Sequence, residues 1–258
     1  MSLDYFSKLK IFLKTIKIFK NWYLYPLVYY GIKKSELVIF KTRTGIQIMI
    51  RPNSTDIMAL TNIWVLDDYS NSKITINNED VIIDVGAHIG LFALYVAQFC
   101  KNGKIFCLEP DPENFKLLER NLNLNQISNV LIFNMAVSKT SSKINLYKND
   151  DKSGHSIVLP SSNSIEVEST TLNDFLHKSK IIHCSLLKLD CEGAEYEIIE
   201  SLYKVNFQIF QNIILEYHLL DSKPDLITNL IKNLENNSFS VIKNNAEYSM
   251  GILHTIKN

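Results

Sequence analysis

No part of this 258-residue chain is apolar for long enough to cross a bilayer; lysines at 8, 10, 14, 17 and 20 interrupt every window of the N-terminal segment. That segment also lacks a small-residue cleavage site, so no secretory leader is expected. C-x-x-C spacing is missing too. The four cysteines, Cys100, Cys107, Cys184 and Cys191, fall within apolar runs, which argues against a disulfide or zinc framework and for reduced thiols in a cytoplasmic protein. There is no net charge, since 27 basic residues balance 27 acidic ones, so the chain lacks the electrostatic footprint of a nucleic-acid binder. Internal repeats and a linker to a second domain are likewise absent.

The charge that is present is unevenly placed. Residues 1–34 carry seven lysines and one aspartate, net +6, which leaves the remainder at −6. Within residues 4–20, Leu9, Phe12, Leu13, Ile16 and Phe19 recur at helical spacing with lysines mostly between them. Three readings stay open for this basic amphipathic helix: packing on its own domain, contact with a second copy, or peripheral contact with an anionic membrane. Residues 36–50 alternate around Thr44-Gly45 and predict a hairpin; residues 54–69 predict a helix capped by Ser54 or Thr55. From residue 81 strands and helices alternate: strand 81–85, helix 90–100, strand 104–109, helix 112–124 and strand 130–135. Asp111 and Pro112 have the chemistry of an N-cap and first helical position. The rhythm breaks between 138 and 170, where strands 143–147 and 165–169 flank a polar loop, 149–164, suited to a lid or substrate wall. It returns with helix 172–178, strand 184–190, helix 194–203, strand 211–217, helix 224–236, and closing strands near 239–243 and 248–256.

Two segments carry the chemistry. Val-Ile-Ile-Asp-Val-Gly-Ala-His-Ile-Gly at 81–90 is a strand running into a glycine loop and then a helix, the arrangement that offers backbone N–H groups to a ligand at the carboxyl edge of a sheet. Glu109 ends the next strand, 23 residues past Gly86, where a carboxylate can accept from both hydroxyls of a ribose. Such charge-assisted bonds contribute about 1.5–3 kcal/mol each. The dinucleotide pattern G-x-G-x-x-G fits in neither register: His88 or Ala87 occupies the position where a pyrophosphate needs bare backbone, which disfavours a nicotinamide oxidoreductase. Asp84 would repel phosphate but suits an ammonium or the loop amides. A ribose-bearing cofactor with an amino-acid tail and no phosphate, S-adenosylmethionine, matches these features.

Asp84-Val85-Gly86-Ala87-His88-Ile89-Gly90 resembles the glycine loop of class I S-adenosylmethionine-dependent methyltransferases. Leu108-Glu109-Pro110-Asp111-Pro112, Asn134-Met135-Ala136-Val137-Ser138, Leu189-Asp190-Cys191-Glu192-Gly193-Ala194-Glu195 and Leu215-Glu216-Tyr217-His218 follow in the order of the FkbM-type family, over roughly residues 52–220. The resemblance implies an α/β fold, a Rossmann-like class I methyltransferase sandwich with a mostly parallel seven-stranded sheet and an antiparallel edge. The N-terminal helical and hairpin extension is set at residues 1–75 and the methyltransferase domain at 76–258. It implies methylation of a hydroxyl on a sugar, glycan or secondary metabolite. Cofactor-binding positions are then Asp84, Gly86, Ala87, His88, Gly90, Glu109, Pro110, Asn114, Ala136 and Asp190.

Asp190 and Glu192 are the candidate reaction-centre acids; their structural alternative is to cap the helix from Ala194, a reading that fits Glu195 and Glu197 better than catalysis does. His218 ends a neighbouring strand and is a candidate base. His155, Ser156 and Glu216 are assigned to the substrate. A methyl acceptor must lose its hydroxyl proton, so His218 or the Asp190/Glu192 pair would take it. In a rival arrangement Asp190, Glu192 and Glu216 hold magnesium. The segment Leu189-Asp190-Cys191-Glu192 lacks the Pro-Pro-aromatic pattern of base N-methyltransferases. A non-catalytic adenosine sensor or membrane-docked scaffold is the remaining non-enzymatic reading.

Overall fold

The computed structural model describes residues 5–66, 74–148, 155–247 and 249–258. The chain opens with helices α1 (Tyr5–Ile18) and α2 (Leu24–Tyr29), the antiparallel hairpin β1 (Val38–Lys41) and β2 (Gln47–Ile50), and α3 (Asp56–Leu60). The main domain contains β3 (Val81–Val85), α4 (Leu91–Val96), β4 (Lys104–Leu108), α5 (Pro112–Leu124) and β5 (Val130–Phe133). A small three-stranded sheet follows, of β6 (Ala136–Val137), β7 (Lys143–Tyr147) and β8 (Ser164–Thr170). The chain closes with α6 (Leu172–Lys178), β9 (Cys184–Asp190), α7 (Glu195–Ser201), β10 (Phe210–Tyr217), α8 (Pro224–Asn236), β11 (Phe239–Glu247) and β12 (Met250–Lys257).

Seven strands form the central sheet in the order β11-β12-β10-β9-β3-β4-β5, parallel except at β12, which runs antiparallel to both neighbours. The chain builds outward from β3 to β5, then returns to the other side of β3 with β9. That reversal opens a crevice at the carboxyl ends of β3 and β9, where open α/β sheets bind ligands. The fold is Rossmann-like, as the alternation of strands and helices predicts.

Each sheet face has its own core, and strict alternation along β3 divides them. Ile82 joins the cluster containing α4, α5 and the N-terminal elements; Ile83 and Val85 join the cluster beneath α6, α7 and α8. The described N-terminal elements thus share one core with the sheet. Phe19, Phe40, Ile48 and Ile50 are completely buried, and each contributes roughly 1.5–3 kcal/mol by that burial. Asn121 of α5 and its C-cap residue Asn125 pair with the hairpin edge as a further strand would. Asn121 accepts from Met49 N–H at 2.8 Å and donates to its carbonyl at 3.0 Å, while Asn125 does the same for Gln47 at 2.8 and 2.7 Å. These four bonds satisfy an exposed strand edge and bring Arg51, just past β2, to Asp56 and Asn114.

Several elements depart from the sequence-based expectation. The helix expected over 54–69 is α-helical only to Leu60; residues 61–66 widen into a π-helix, and residues 67–69 lie outside the described residues. The Thr61 hydroxyl donates to the Ile57 carbonyl at 2.7 Å and also bonds Tyr25 Oη at 2.6 Å, competition of the kind that disturbs a helical ladder. Ser54, not Thr55, supplies the side-chain cap, accepting from Asp56 N–H at 3.2 Å. Strand β5 stops two residues early, where Asn134 turns to donate to the carbonyls of Glu109 and Pro110 at 2.9 and 3.1 Å. The α-helix expected over 90–100 ends at Val96 and continues as turns. Helix α2 carries no signal that sequence periodicity detects; its tyrosines Tyr25 and Tyr29 stack at 5.9 Å.

Candidate active site

The glycine loop is held in shape by backbone bonds. Gly86 and Ala87 N–H donate to the Leu108 carbonyl at 3.0 and 3.1 Å, and His88 N–H donates to Glu109 Oε2 at 2.8 Å. These bonds clamp the tips of β3 and β4 together. Gly86 has φ +78°, and a Cβ there would lie 1.8 Å from the Asp190 carbonyl oxygen, so a side chain would force apart the tips of β3 and β9. Gly86→Ala should therefore lose at least about 2 kcal/mol of stability, the left-handed backbone penalty plus overpacking against a rigid strand. Thermal unfolding measures it.

Glu109 is nearly fully buried. Its other oxygen accepts from Asp111 N–H at 3.0 Å and from the Asn114 amide at 3.4 Å. Burial pushes its pKa up, against the pull of His88. Asp111 caps α5 as expected, accepting from Glu113 and Asn114 N–H at 2.8 and 2.9 Å. Its second oxygen pairs with Lys148 at 2.9 Å and lies 3.7 Å from His155.

A cavity of about 250 Å³ lies in the crevice. Gly86, Ala87, His88, Glu109, Pro110, Asn114, Ala136, His155, Asp190, Glu192 and Glu216 all line it, so most residues singled out from the sequence meet in one place. The apolar wall comes from residues such as Phe92, Leu108, Met135 and Ile157. Four candidates stand elsewhere. Gly90 does not reach the cavity; it takes a left-handed φ of +84° to start α4. Asp84 lies fully buried behind Lys188, whose ammonium it meets at 3.0 Å, rather than presenting its carboxylate to a ligand. Ser156 holds the turn at Glu192, donating to that residue's carbonyl at 2.7 Å. His218 sits behind the acid cluster.

The surroundings of His218 alter its expected role. Nε2 lies 3.4 Å from Glu192 and Nδ1 lies 3.4 Å from Glu195, which is fully buried and also accepts from Cys191 and Gly193 N–H at 2.7 and 2.9 Å. Burial alone would lower the histidine's pKa, but the carboxylates of Glu195, Glu192 and Asp190 outweigh it and push it up to about 10. An imidazolium has no lone pair for a substrate proton, so these carboxylates disfavour His218 as a general base at neutral pH. A raised pKa stabilises the fold fully below the ordinary value of 6.5 and loses that contribution as pH rises through about 10. The melting-temperature gap between wild type and His218→Asn should be widest near pH 6 and close toward pH 10.

Asp190 and Glu216 are register partners at the tips of β9 and β10, so their side chains emerge side by side. Burial, then the charge of Asp190, pushes the Glu216 pKa up to about 8. Asp190 lies 3.5 Å from Lys188. The magnesium set read from sequence is also rearranged: Asp190 and Glu192 group with His218 rather than Glu216, with ligand atoms within 4.8 Å of one another.

Sequence reasoning missed Lys188, Arg51 and Asp56, and gave Glu195 a capping role only. Lys188 is a lone cation in an apolar strand, level with Asp84 on β3; that shared height was the available signal. Arg51 pairs with fully buried Asp56 at 2.8 Å and donates to Asn114 Oδ1 at 2.8 Å, while His88 stands 3.3 Å from Asp56. Burial opposes the Asp56 charge, but His88 and Arg51 hold its carboxyl well below the usual range. The N-terminal elements thus brace the glycine loop and contribute Met58, Asn62 and Ile63 to the cavity wall.

A profile described as the methyltransferase FkbM domain matches residues 84–241, a span that holds both the glycine loop and the acid cluster. The chain belongs to the FkbM methyltransferase family. Methyltransferase sdnD of Sordaria araneosa is 24% identical over 219 residues, covering 72% of this chain and 83% of that protein. The 2-O-methyltransferase NoeI of Sinorhizobium fredii (strain NBRC 101917 / NGR234) is 26% identical over 152 residues, covering 50% and 61% respectively. Among solved structures, the Methanococcus jannaschii fibrillarin pre-rRNA processing protein superimposes with a TM-score of 0.50 at 12% identity, over 87% of this chain and 84% of that one, a likeness of fold. This FkbM-family protein is a methyltransferase, and its glycine loop, Glu109 and acid cluster all lie within the matched span.

Proposed function

We propose that the protein transfers a methyl group from S-adenosylmethionine to a hydroxyl oxygen of a sugar, glycan or secondary metabolite. One observation carries the reading: a single cavity joins the glycine loop and Glu109 at one end to Asp190, Glu192 and Glu216 at the other. The residues present fit the donor. Glu109 stands where ribose hydroxyls can donate to it, the apolar wall suits adenine, and the acids suit an ammonium. When bound, S-adenosylmethionine supplies an electrophilic methyl group on a sulfonium. The chain has two tasks, to align the acceptor oxygen and to remove its proton. Alignment is worth roughly 7–11 kcal/mol.

Glu216 takes the proton in this scheme. Its raised pKa puts its basicity near that of the medium, where a general base is most effective, and its strand holds it beside Asp190. Asp190, held by Lys188, orients the acceptor. NoeI, by its name an O-methyltransferase, supports oxygen as the target.

Calorimetry with S-adenosylmethionine, followed by transfer of labelled methyl to a panel of sugars and small alcohols, tests the proposal. Flat heats would remove the donor, and binding without transfer to any hydroxyl would favour an adenosine sensor. A second reading uses Asp190, Glu192 and His218 to hold a divalent cation. Because a metal needs the neutral imidazole that the surrounding carboxylates oppose, turnover is expected to survive EDTA. Loss in EDTA with recovery in magnesium would establish the metal version.

A further inference from the structure

The outer side of α1 carries more apolar surface than the fold uses. Ile11, Thr15 and Phe19, four residues apart, are buried against the body. Facing away are Phe6, Leu9 and Leu13, at 74%, 41% and 51% exposure, on one stripe of helical spacing. Lys10, Lys14 and Lys17 form a second exposed stripe beside it. Tyr23, Tyr30 and Ile32, more than half exposed, extend the apolar surface past α2. Between α1 and α2 runs a groove of about 200 Å³ lined by Leu9, Phe12, Tyr25, Pro26, Tyr29 and Tyr30. Met58 of α3 lines both this groove and the methyltransferase cavity.

We infer that the α1–α2 face docks on an anionic lipid surface, with its apolar stripe and groove in the acyl boundary and its lysines at the headgroups. Charge selects this occupant. No acidic residue occurs from 5 to 35, whereas the rest of the chain is net negative and is repelled by the same surface. This face therefore has the charge that suits an anionic bilayer. A second copy related by a two-fold axis would bring like lysine stripes together, an unfavourable pairing. The chain has no helix long and apolar enough to cross a membrane among its described residues, so the contact is peripheral. Docked this way, the cavity stays linked to the lipid-facing groove through Met58. The docking itself is independent of the methyl-transfer reading.

Sedimentation of the full chain with vesicles tests it, using phosphatidylcholine alone and phosphatidylcholine with about one-third phosphatidylglycerol. The expected result is binding to the anionic vesicles only, weakened by salt. Neutralising Lys10, Lys14 and Lys17 to Gln should cut partitioning on the order of 100-fold, roughly fivefold per lysine. Leu9→Ser with Leu13→Ser, both at exposed positions, should also release the protein while leaving S-adenosylmethionine binding in solution unchanged. Absence of binding to anionic vesicles, or binding indifferent to both variants, would overturn the inference. So would a dimer in light scattering that the Leu9→Ser/Leu13→Ser variant dissociates, since a second copy would then be the occupant. Failure of methyl transfer with vesicle binding intact would count against the proposed activity alone.

Discussion

Glu216→Gln is expected to lower turnover by about 10²- to 10⁴-fold, the range typical for loss of a general base. The amide keeps the shape of the carboxyl group and its place beside Asp190, but it cannot accept the acceptor's proton. The pH profile separates this from a packing defect. With a pKa pushed up to about 8 by burial and by Asp190, wild-type kcat/KM should climb about tenfold per pH unit below 8 and level off above it. The variant should lack that limb. Stability should move the other way. A carboxyl whose folded pKa is raised costs the fold increasingly as pH rises from its ordinary value of 4.5 through about 8, and glutamine removes the cost. The variant should therefore melt at or above the wild-type temperature at pH 8 while its turnover collapses. Full turnover in Glu216→Gln with an unchanged profile would transfer the role to Asp190 or Glu192.

Lys188→Met should destabilise the fold by about 3–5 kcal/mol at neutral pH, the cost of removing one partner from a buried ion pair. The ammonium lies 3.0 Å from Asp84 and 3.5 Å from Asp190, with almost no exposure, and 5.7 Å from the Phe92 ring centre. Methionine fills similar space but leaves the Asp84 charge between two central strands. Burial already pushes the Asp84 pKa up, and without Lys188 only the smaller pull of His88 opposes it. The deficit should thus shrink in acid, where Asp84 is neutral at no cost, and grow as pH rises past its ordinary 3.8. Adding Asp84→Asn should recover much of the loss in denaturant unfolding. If the double variant is no more stable than Lys188→Met alone, the pair is not the source of the penalty.

The elements of the site legible in the sequence are those whose chemistry is local. Gly86 could be read because a strand must break there, Asp111 because it caps the helix behind it, and Glu109, Asp190 and Glu216 because an apolar strand ending in an acid places that acid at a sheet edge. The surroundings of Asp84 and His218 are not legible, for the opposite reason. Asp84 sits in the motif next to the glycine loop, yet its partner is 104 residues away. His218 has the right position for a base, but Glu195 and Glu192, brought to both ring nitrogens by a tight turn, keep it protonated. Arg51 and Asp56 precede the matched span altogether, and nothing near them in sequence points to His88 or Asn114.

The sequence by itself determined the strand–helix alternation, the glycine loop, the family and the roster of acids at the strand tips, because periodicity, turn chemistry and motif order are short-range properties. Tertiary structure alone decided the charge environment of those groups and which of them line the cavity. Protonation depends on burial and on charges within a few ångströms, and those neighbours come from strands far apart in the chain. By the same physics an N-terminal helix readable as core, dimer contact or lipid contact exposes its apolar stripe next to its lysines only once Ile11, Thr15 and Phe19 have been committed to the interior.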